Sequence, residues 1–153
     1  MPTPVTVRFV PLPTSHPDSR RLLGAFYAEI RRRLGFDLSR QANDADMDPP
    51  GGRFVVGYEG DAPVACGGIR TWDSGACEVK RMFVSPVARR HGLGRQLLDA
   101  IESSAREAGF KRVLLDTLDS HEEAVALYDS SGYVRVPAYN ENPYAGAWFA
   151  KDL

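Results

Sequence analysis

Residues 78–94 read Glu-Val-Lys-Arg-Met-Phe-Val-Ser-Pro-Val-Ala-Arg-Arg-His-Gly-Leu-Gly, and this stretch decides the fold. Val79, Met82, Phe83 and Val84 form an apolar strand that runs into Ser85-Pro86. Arg89, Arg90 and His91 follow, then Gly92-Leu93-Gly94, then an amphipathic helix with Leu93, Leu97, Leu98, Ile101, Ala105 and Ala108 on one stripe. The start of a helix carries backbone N–H groups without partners and a partial positive charge, so it attracts phosphate. Two glycines let an anion come close to the main chain, and arginines beside them supply charge-assisted bonds. The stretch is a strand–loop–helix cradle for a pyrophosphate.

Working outward, the segments on either side alternate strand and helix patterns. Val5–Val10 reads as a first strand, and Asp18 as the cap of a helix to about Leu34 with Leu22, Leu23, Phe26 and Ile30 on its inner side. Residues Asp37–Gly52 are acidic, carry Pro49-Pro50-Gly51-Gly52 and read as a loop with at most one short helix. A meander follows: Arg53–Glu59 turns at Gly60-Asp61 into Pro63–Trp72, which turns at Asp73-Ser74-Gly75 into Ala76–Val84. Arg112–Thr117 is a fifth strand, and Ser120 with Glu123 makes a capping box for a helix through Ala124, Leu127 and Tyr128. Tyr133–Tyr139 and Ala145–Lys151 form a last hairpin. The order β-α-β-β-β-α-β-α-β-β, with a parallel crossover from Ala76 to Thr117, predicts an α/β fold: one domain over residues 1–153, a mixed sheet with helices on both faces.

Composition limits the function. A chain of 153 residues with 43% hydrophobic and 25% charged residues fits one globular domain with a real core. A net charge of -1 argues against bulk nucleic-acid binding, and no apolar run is long enough to span a membrane. The first residues lack the apolar region of a signal peptide, so a cytoplasmic location is expected. Cys66 and Cys77 have no metal-ligand spacing, and no metal is expected; they are not opposite one another across the meander, so buried reduced thiols are expected. Lys80, Arg81, Arg89, Arg90 and Arg95 cluster around the cradle, and a local basic patch in a neutral protein suits a small anionic ligand. The dinucleotide fingerprint does not apply, because its third glycine is missing and the preceding strands form a meander.

These elements and residues resemble the GNAT superfamily of acetyl-CoA-dependent N-acetyltransferases. Its loop pattern (Gln or Arg, two residues, Gly, one residue, Gly or Ala) is met by Arg89, Gly92 and Gly94. Its later pattern of an alanine, a leucine-tyrosine pair and Gly-Tyr is met by Ala124, Leu127-Tyr128 and Gly132-Tyr133. An asparagine common in relatives is replaced here by Ser120 or His121. The resemblance implies that acetyl-CoA lies along Met82, Phe83 and Val84 as an added strand, its pyrophosphate on the main chain of Arg90, His91, Gly92, Leu93, Gly94 and Arg95, with Arg89, Arg90, Arg95 and Ser120 near it.

It also implies direct transfer of an acetyl group to a primary amine of a small molecule in a ternary complex. Tyr128 matches the position from which relatives protonate the departing sulfur, and a packed structural tyrosine is the competing role. With ordinary values of about 10 for tyrosine and about 8.5 for a thiol, that transfer is uphill by about 2 kcal/mol unless Tyr128 is tuned or acts as a hydrogen-bond donor. Glu78 is the candidate base, with an ion pair to Lys80 as the equal alternative. The acceptor pocket would be built from Tyr27, Arg31, Arg70, Trp72, Tyr139 and Tyr144, with Phe36, Asn142 and Trp148 nearby. The arginines there favour an acceptor with both an amine and an anionic group. A protein acetyltransferase, a non-catalytic acyl-CoA-binding protein and a homodimer, as in many relatives, stay open.

Overall fold

A computed structural model describes residues 6–40, 43–89, 91–117 and 122–153. Among the described residues, seven strands form one sheet in the order β1-β2-β3-β4-β5-β7-β6. They are β1 (Arg8–Pro11), β2 (Gly52–Glu59), β3 (Ala62–Asp73), β4 (Ala76–Val84), β5 (Arg112–Thr117), β6 (Val134–Val136) and β7 (Ala147–Asp152). The helices are α1 (Pro17–Leu34), α2 (Leu93–Glu107) and α3 (Glu122–Ser130). The element order matches the sequence expectation, and β4 pairs β5 in parallel while the other pairs are antiparallel.

Alternation along β2 places the helices on both faces. Phe54 and Val56 pack with Leu22 and Leu23 of α1, whereas Val55, one residue out of phase, packs with Leu97, Leu98 and Ile101 of α2. Tyr128 of α3 joins the α2 side. Among the residues of α2 that face this core, Glu102 is also buried; its carboxylate accepts from Tyr133 Oη at 2.9 Å and pairs with Lys151 Nζ at 2.9 Å. A charged residue on an apolar stripe is tolerated only with such partners. Cys66 faces Phe83 and Cys77 faces Thr71 in the β3–β4 register, so the thiols are not opposite, and both are free and buried.

Several boundaries differ from the sequence expectation. The first strand begins at Arg8 and ends at Pro11, and Val5 lies outside the described residues. Helix α1 is capped by His16, not Asp18: its Nδ1 accepts from the Asp18 N–H at 3.1 Å, and Pro17 occupies the first turn, where a missing N–H costs nothing. Asp18 instead accepts from the Tyr58 hydroxyl. Residues 37–52 contain two short 3-10 turns, Leu38–Arg40 and Asp44–Met47. The last hairpin is shorter than expected, because Pro137 has no N–H for a ladder and the side chains of Tyr139, Asn140 and Asn142 are engaged with β4, β5 and β7. The proposed cap Ser120 lies outside the described residues.

Candidate functional site

The site begins where two strands part. β4 and β5 pair only from Ala76↔Arg112 to Glu78↔Leu114. β5 then continues to Thr117 on β7, while Val79–Val84 of β4 has no strand partner on that side among the described residues. A strand edge left this way presents unpaired N–H and C=O groups. It borders a cleft of about 610 Å³, lined by Lys80, Met82, Val84, Leu115, Asp116 and Tyr128 among others. Phe83 and Gly94 also line it.

β4 carries a bulge beside this edge. Cys66 faces Phe83 and Gly68 faces Lys80, so both Arg81 and Met82 oppose Gly67. Arg81 takes φ 60, a conformation that costs a non-glycine residue about 1–3 kcal/mol. It is held at both ends. Its Nε donates to Tyr27 Oη at 3.0 Å and meets Asp44 Oδ1 at 3.4 Å, and its main-chain oxygen accepts from Cys66 Sγ at 3.6 Å. Burial first, then the bond to Asp44, raises the Tyr27 hydroxyl well above the usual tyrosine range. Tyr27 thus anchors the bulge and is not part of the cleft wall.

At the end of β4, a 3-10 turn at Pro86–Ala88 leads to α2, whose N-cap is Gly92 at φ 72 with no side-chain cap. Gly92 has no side chain to cap the first N–H groups of α2, and among the described residues no side chain accepts from them, which is the condition for anion binding. A Cβ built at Gly94 meets only Leu127 Cδ2, at 3.5 Å, so the glycine is not required by packing. Leu93 is buried, whereas His91 and Arg95 are exposed. The Arg89 guanidinium does not extend toward the cleft: Nε donates to Val84 O at 2.9 Å and Nη2 to Glu29 at 2.7 Å. Arg90 and His121, like Ser120, lie outside the described residues.

Tyr128 lines the cleft, and its hydroxyl lies 3.9 Å from Met82 Sδ. Burial, then the nearby Asp116 charge, pushes its pKa up to about 12. Glu78 is 0% exposed. Its Oε1 receives Arg70 Nε and Nη2, each at 2.9 Å, and Lys80 Nζ at 3.3 Å. Its Oε2 receives Tyr139 Oη at 2.7 Å and Asn140 Nδ2 at 3.1 Å. A carboxylate has about four acceptor positions, and five donors leave none for a substrate proton. The ion pair with Lys80 is therefore present, as one part of a larger network.

On the acceptor side, Arg70 and Tyr144 line the cleft. Arg31 is exposed and outside it, Trp72 packs edge-on against Tyr139 at 5.0 Å, and Tyr139 serves Glu78. Arg70 is committed to Glu78, so it does not offer a free cation to an anionic acceptor group. Phe36, after α1, stacks on Tyr144, before β7, at 4.4 Å and 17°, and both line the cleft. Asp116, Asn140 and Asp44 also line it and were not singled out from the sequence. The one signal for Asp116 is that the buried apolar run Val113–Leu115 of β5 stops at it.

A parted parallel pair, a bulged strand edge and a glycine helix start meet at one cleft, in a fold shared with solved acyltransferase structures. The chain belongs to the GNAT family of acetyltransferases, whose family model matches residues 18–133. It is 42% identical over 114 residues to an IAA acetyltransferase of Azospirillum brasilense, covering 74% of this chain and 70% of that protein. It is 30% identical over 151 residues to an uncharacterized N-acetyltransferase of Schizosaccharomyces pombe, covering 93% of this chain and 90% of the relative. Among solved structures, a GNAT acetyltransferase from Staphylococcus aureus has a TM-score of 0.81 at 17% identity, covering 96% of this chain and 99% of that one. A GNAT acetyltransferase from Elizabethkingia anophelis with acetyl-CoA bound has a TM-score of 0.69 at 17% identity, covering 96% and 98%. These two likenesses concern the fold.

Proposed function

We propose that the protein transfers the acetyl group of acetyl-CoA directly to the amine of a small molecule. The supporting observation is the closed acceptor side: the Phe36–Tyr144 stack joins the loop after α1 to the loop before β7 across the cleft. A folded protein or peptide needs an open groove at that place, and a small amine does not.

The residues present fit acetyl-CoA. The free edge Met82–Val84 would hold an extended arm through its main chain, and the uncapped start of α2, from Gly92 to Arg95, would hold the diphosphate. Arg95 remains exposed beside it. Bound there, acetyl-CoA supplies an acetyl group activated as a thioester.

Tyr128 keeps its proton throughout the neutral range, since its pKa is about 12. Handing that proton to a free thiolate of ordinary pKa is uphill by about 3.5 units, or about 5 kcal/mol. The role that fits is a hydrogen-bond donor to sulfur as negative charge develops. Burial excludes water and strengthens that bond. Glu78 acts as an organiser of β3, β4 and the 137–146 loop, not as a base.

The test is release of free thiol from acetyl-CoA across small amines, lysine peptides and peptides with free N-termini. Turnover of at least one small amine is expected, and turnover confined to peptides would refute the proposal. Tyr128→Phe should lower kcat at least tenfold with little change in Tm, because the only described partner of its hydroxyl is a thioether at 3.9 Å. Unchanged kcat would remove Tyr128 from the mechanism.

A further inference from the structure

The cleft lining contains three cations and three acids among the described residues: Arg70, Lys80 and Arg81, with Asp44, Asp46 and Asp116. Five of these six are committed. Arg81 pairs with Asp44, Arg70 with Glu78 and more loosely with Asp46 at 3.9 Å, and Lys80 with Glu78. Asp116 alone has no cationic partner among the described residues.

Its orientation is fixed by neutral groups. Asp116 Oδ2 accepts from Asn140 Nδ2 at 2.6 Å and from Asn142 Nδ2 at 3.3 Å. Neither amide can be turned over. Asn140 Oδ1 already accepts from Trp148 Nε1 at 2.8 Å and from the Asn142 N–H at 3.2 Å, and an indole nitrogen only donates. Asn142 Oδ1 accepts from the Tyr144 N–H at 3.0 Å. Both amides must therefore point N–H groups at Oδ2, while Oδ1 receives no hydrogen bond from any described residue. Two amide donors hold the carboxylate without cancelling its charge. Its position follows from the strand register: one repeat beyond the last pair, Glu78↔Leu114, stand Lys80 on β4 and Asp116 on β5, at the mouth of the parting.

We infer that Asp116 binds the nitrogen of the acceptor as an ammonium group, which passes one proton to solvent before its lone pair attacks, so that the preferred acceptors are cationic amines that need no anionic group of their own. The inference rests on the cleft being the acceptor site, and it adds which atom of the enzyme selects the substrate. A single uncompensated negative charge in a half-buried cleft favours a cation, and it disfavours an acceptor carboxylate for which no free cation remains. The Asp116 field is also felt at Tyr128, which places this carboxylate near the group argued to assist departure of sulfur. Asn140 is a positioning residue: its amide spans the closed carboxylate of Glu78 and the open one of Asp116.

The experiment compares an amine with its neutral isostere in the presence of CoA. The probe is the amine with the highest turnover in the thiol-release panel, or 2-phenylethylamine if none turns over, each against the corresponding alcohol. Ligand-observed NMR gives Kd. The wild-type protein should bind the amine at least tenfold more tightly than the alcohol. Asp116→Asn should bring the two within about threefold, leaving alcohol binding and Tm little changed, and Asp116→Glu should restore part of the preference. Where turnover is measurable, Asp116→Asn should raise KM for the amine at least tenfold while KM for acetyl-CoA stays within twofold. Equal binding of amine and alcohol by the wild type, or retained preference in Asp116→Asn, overturns the inference. The binding arm stands apart from transfer: absence of turnover with preserved amine preference refutes the proposed function and leaves the ammonium site supported.

Discussion

Replacing Glu78 by glutamine separates a structural carboxylate from a catalytic base. Glutamine offers one oxygen and one N–H2 group where Glu78 offers two acceptor oxygens. If its oxygen faces Arg70 and Lys80, its N–H2 faces the Tyr139 hydroxyl and the Asn140 amide; turned over, it faces a guanidinium and an ammonium. In either pose two or more donors lose their acceptor, and two cations lose their countercharge. Breaking a buried ion pair costs about 3–5 kcal/mol, which we reduce to about 2–4 kcal/mol because water reaches the partners. Their side chains retain 36% exposure at Arg70 and 20% at Lys80. At about 2–4 °C per kcal/mol for a chain of this length, Tm should fall by about 4–16 °C. Thermal melts by circular dichroism at pH 7, with kcat measured well below the transition, test this. A Tm within about 2 °C of wild type together with a hundredfold loss of kcat would refute the argument and return Glu78 to the role of base.

Three further outcomes follow from geometry already described. Gly94→Ala should raise KM for acetyl-CoA several-fold without loss of Tm, since the new methyl meets only Leu127 Cδ2 while standing at the first turn of α2; unchanged KM would argue against the helix start as the diphosphate site. Cys66 and Cys77 have their pKa pushed up to about 12, chiefly by burial, so at pH 8 only about one thiol in 10⁴ is ionised; neither should react with Ellman's reagent within minutes until the protein is unfolded in urea. For Tyr128, the folded pKa of about 12 lies above the unfolded value of about 10, so its contribution is complete below pH 10 and is lost as pH rises through 12. Urea titrations should therefore show stability falling above pH 10, with a smaller slope in Tyr128→Phe.

Much of this fold can be read from residues that act locally. Turn chemistry at Gly60-Asp61 and Asp73-Ser74-Gly75 sets the meander, and the stripe from Leu93 to Ala105 sets α2 and the face it covers. The glycine loop and Leu127-Tyr128 likewise point to the cleft that Gly94, Leu127 and Tyr128 line. The parting of β4 from β5 was not legible, because pairing is decided between segments some 35 residues apart and stops with no local signal. The pairing of Glu78 with Lys80 was legible two residues away on one strand face, but Tyr139 and Asn140, 61 and 62 residues away, were hidden for the same reason. An asparagine in a loop reads as turn chemistry and an aspartate near a strand end as a solvated side chain, so Asn140 and Asp116 carried no sign of their shared hydrogen bond. Arg89 shows the converse, since a motif position predicts where a residue stands but not whether Glu29 has already claimed its guanidinium.

Because the ladder between β4 and β5 ends at Glu78 and Leu114, the width of the binding slot is a property of backbone register. Mutating its walls would tune which guests are welcome, yet only a change that let one more rung zip shut, at Lys80 and Asp116, would abolish the slot itself. An extended guest threaded along that edge would complete the weave.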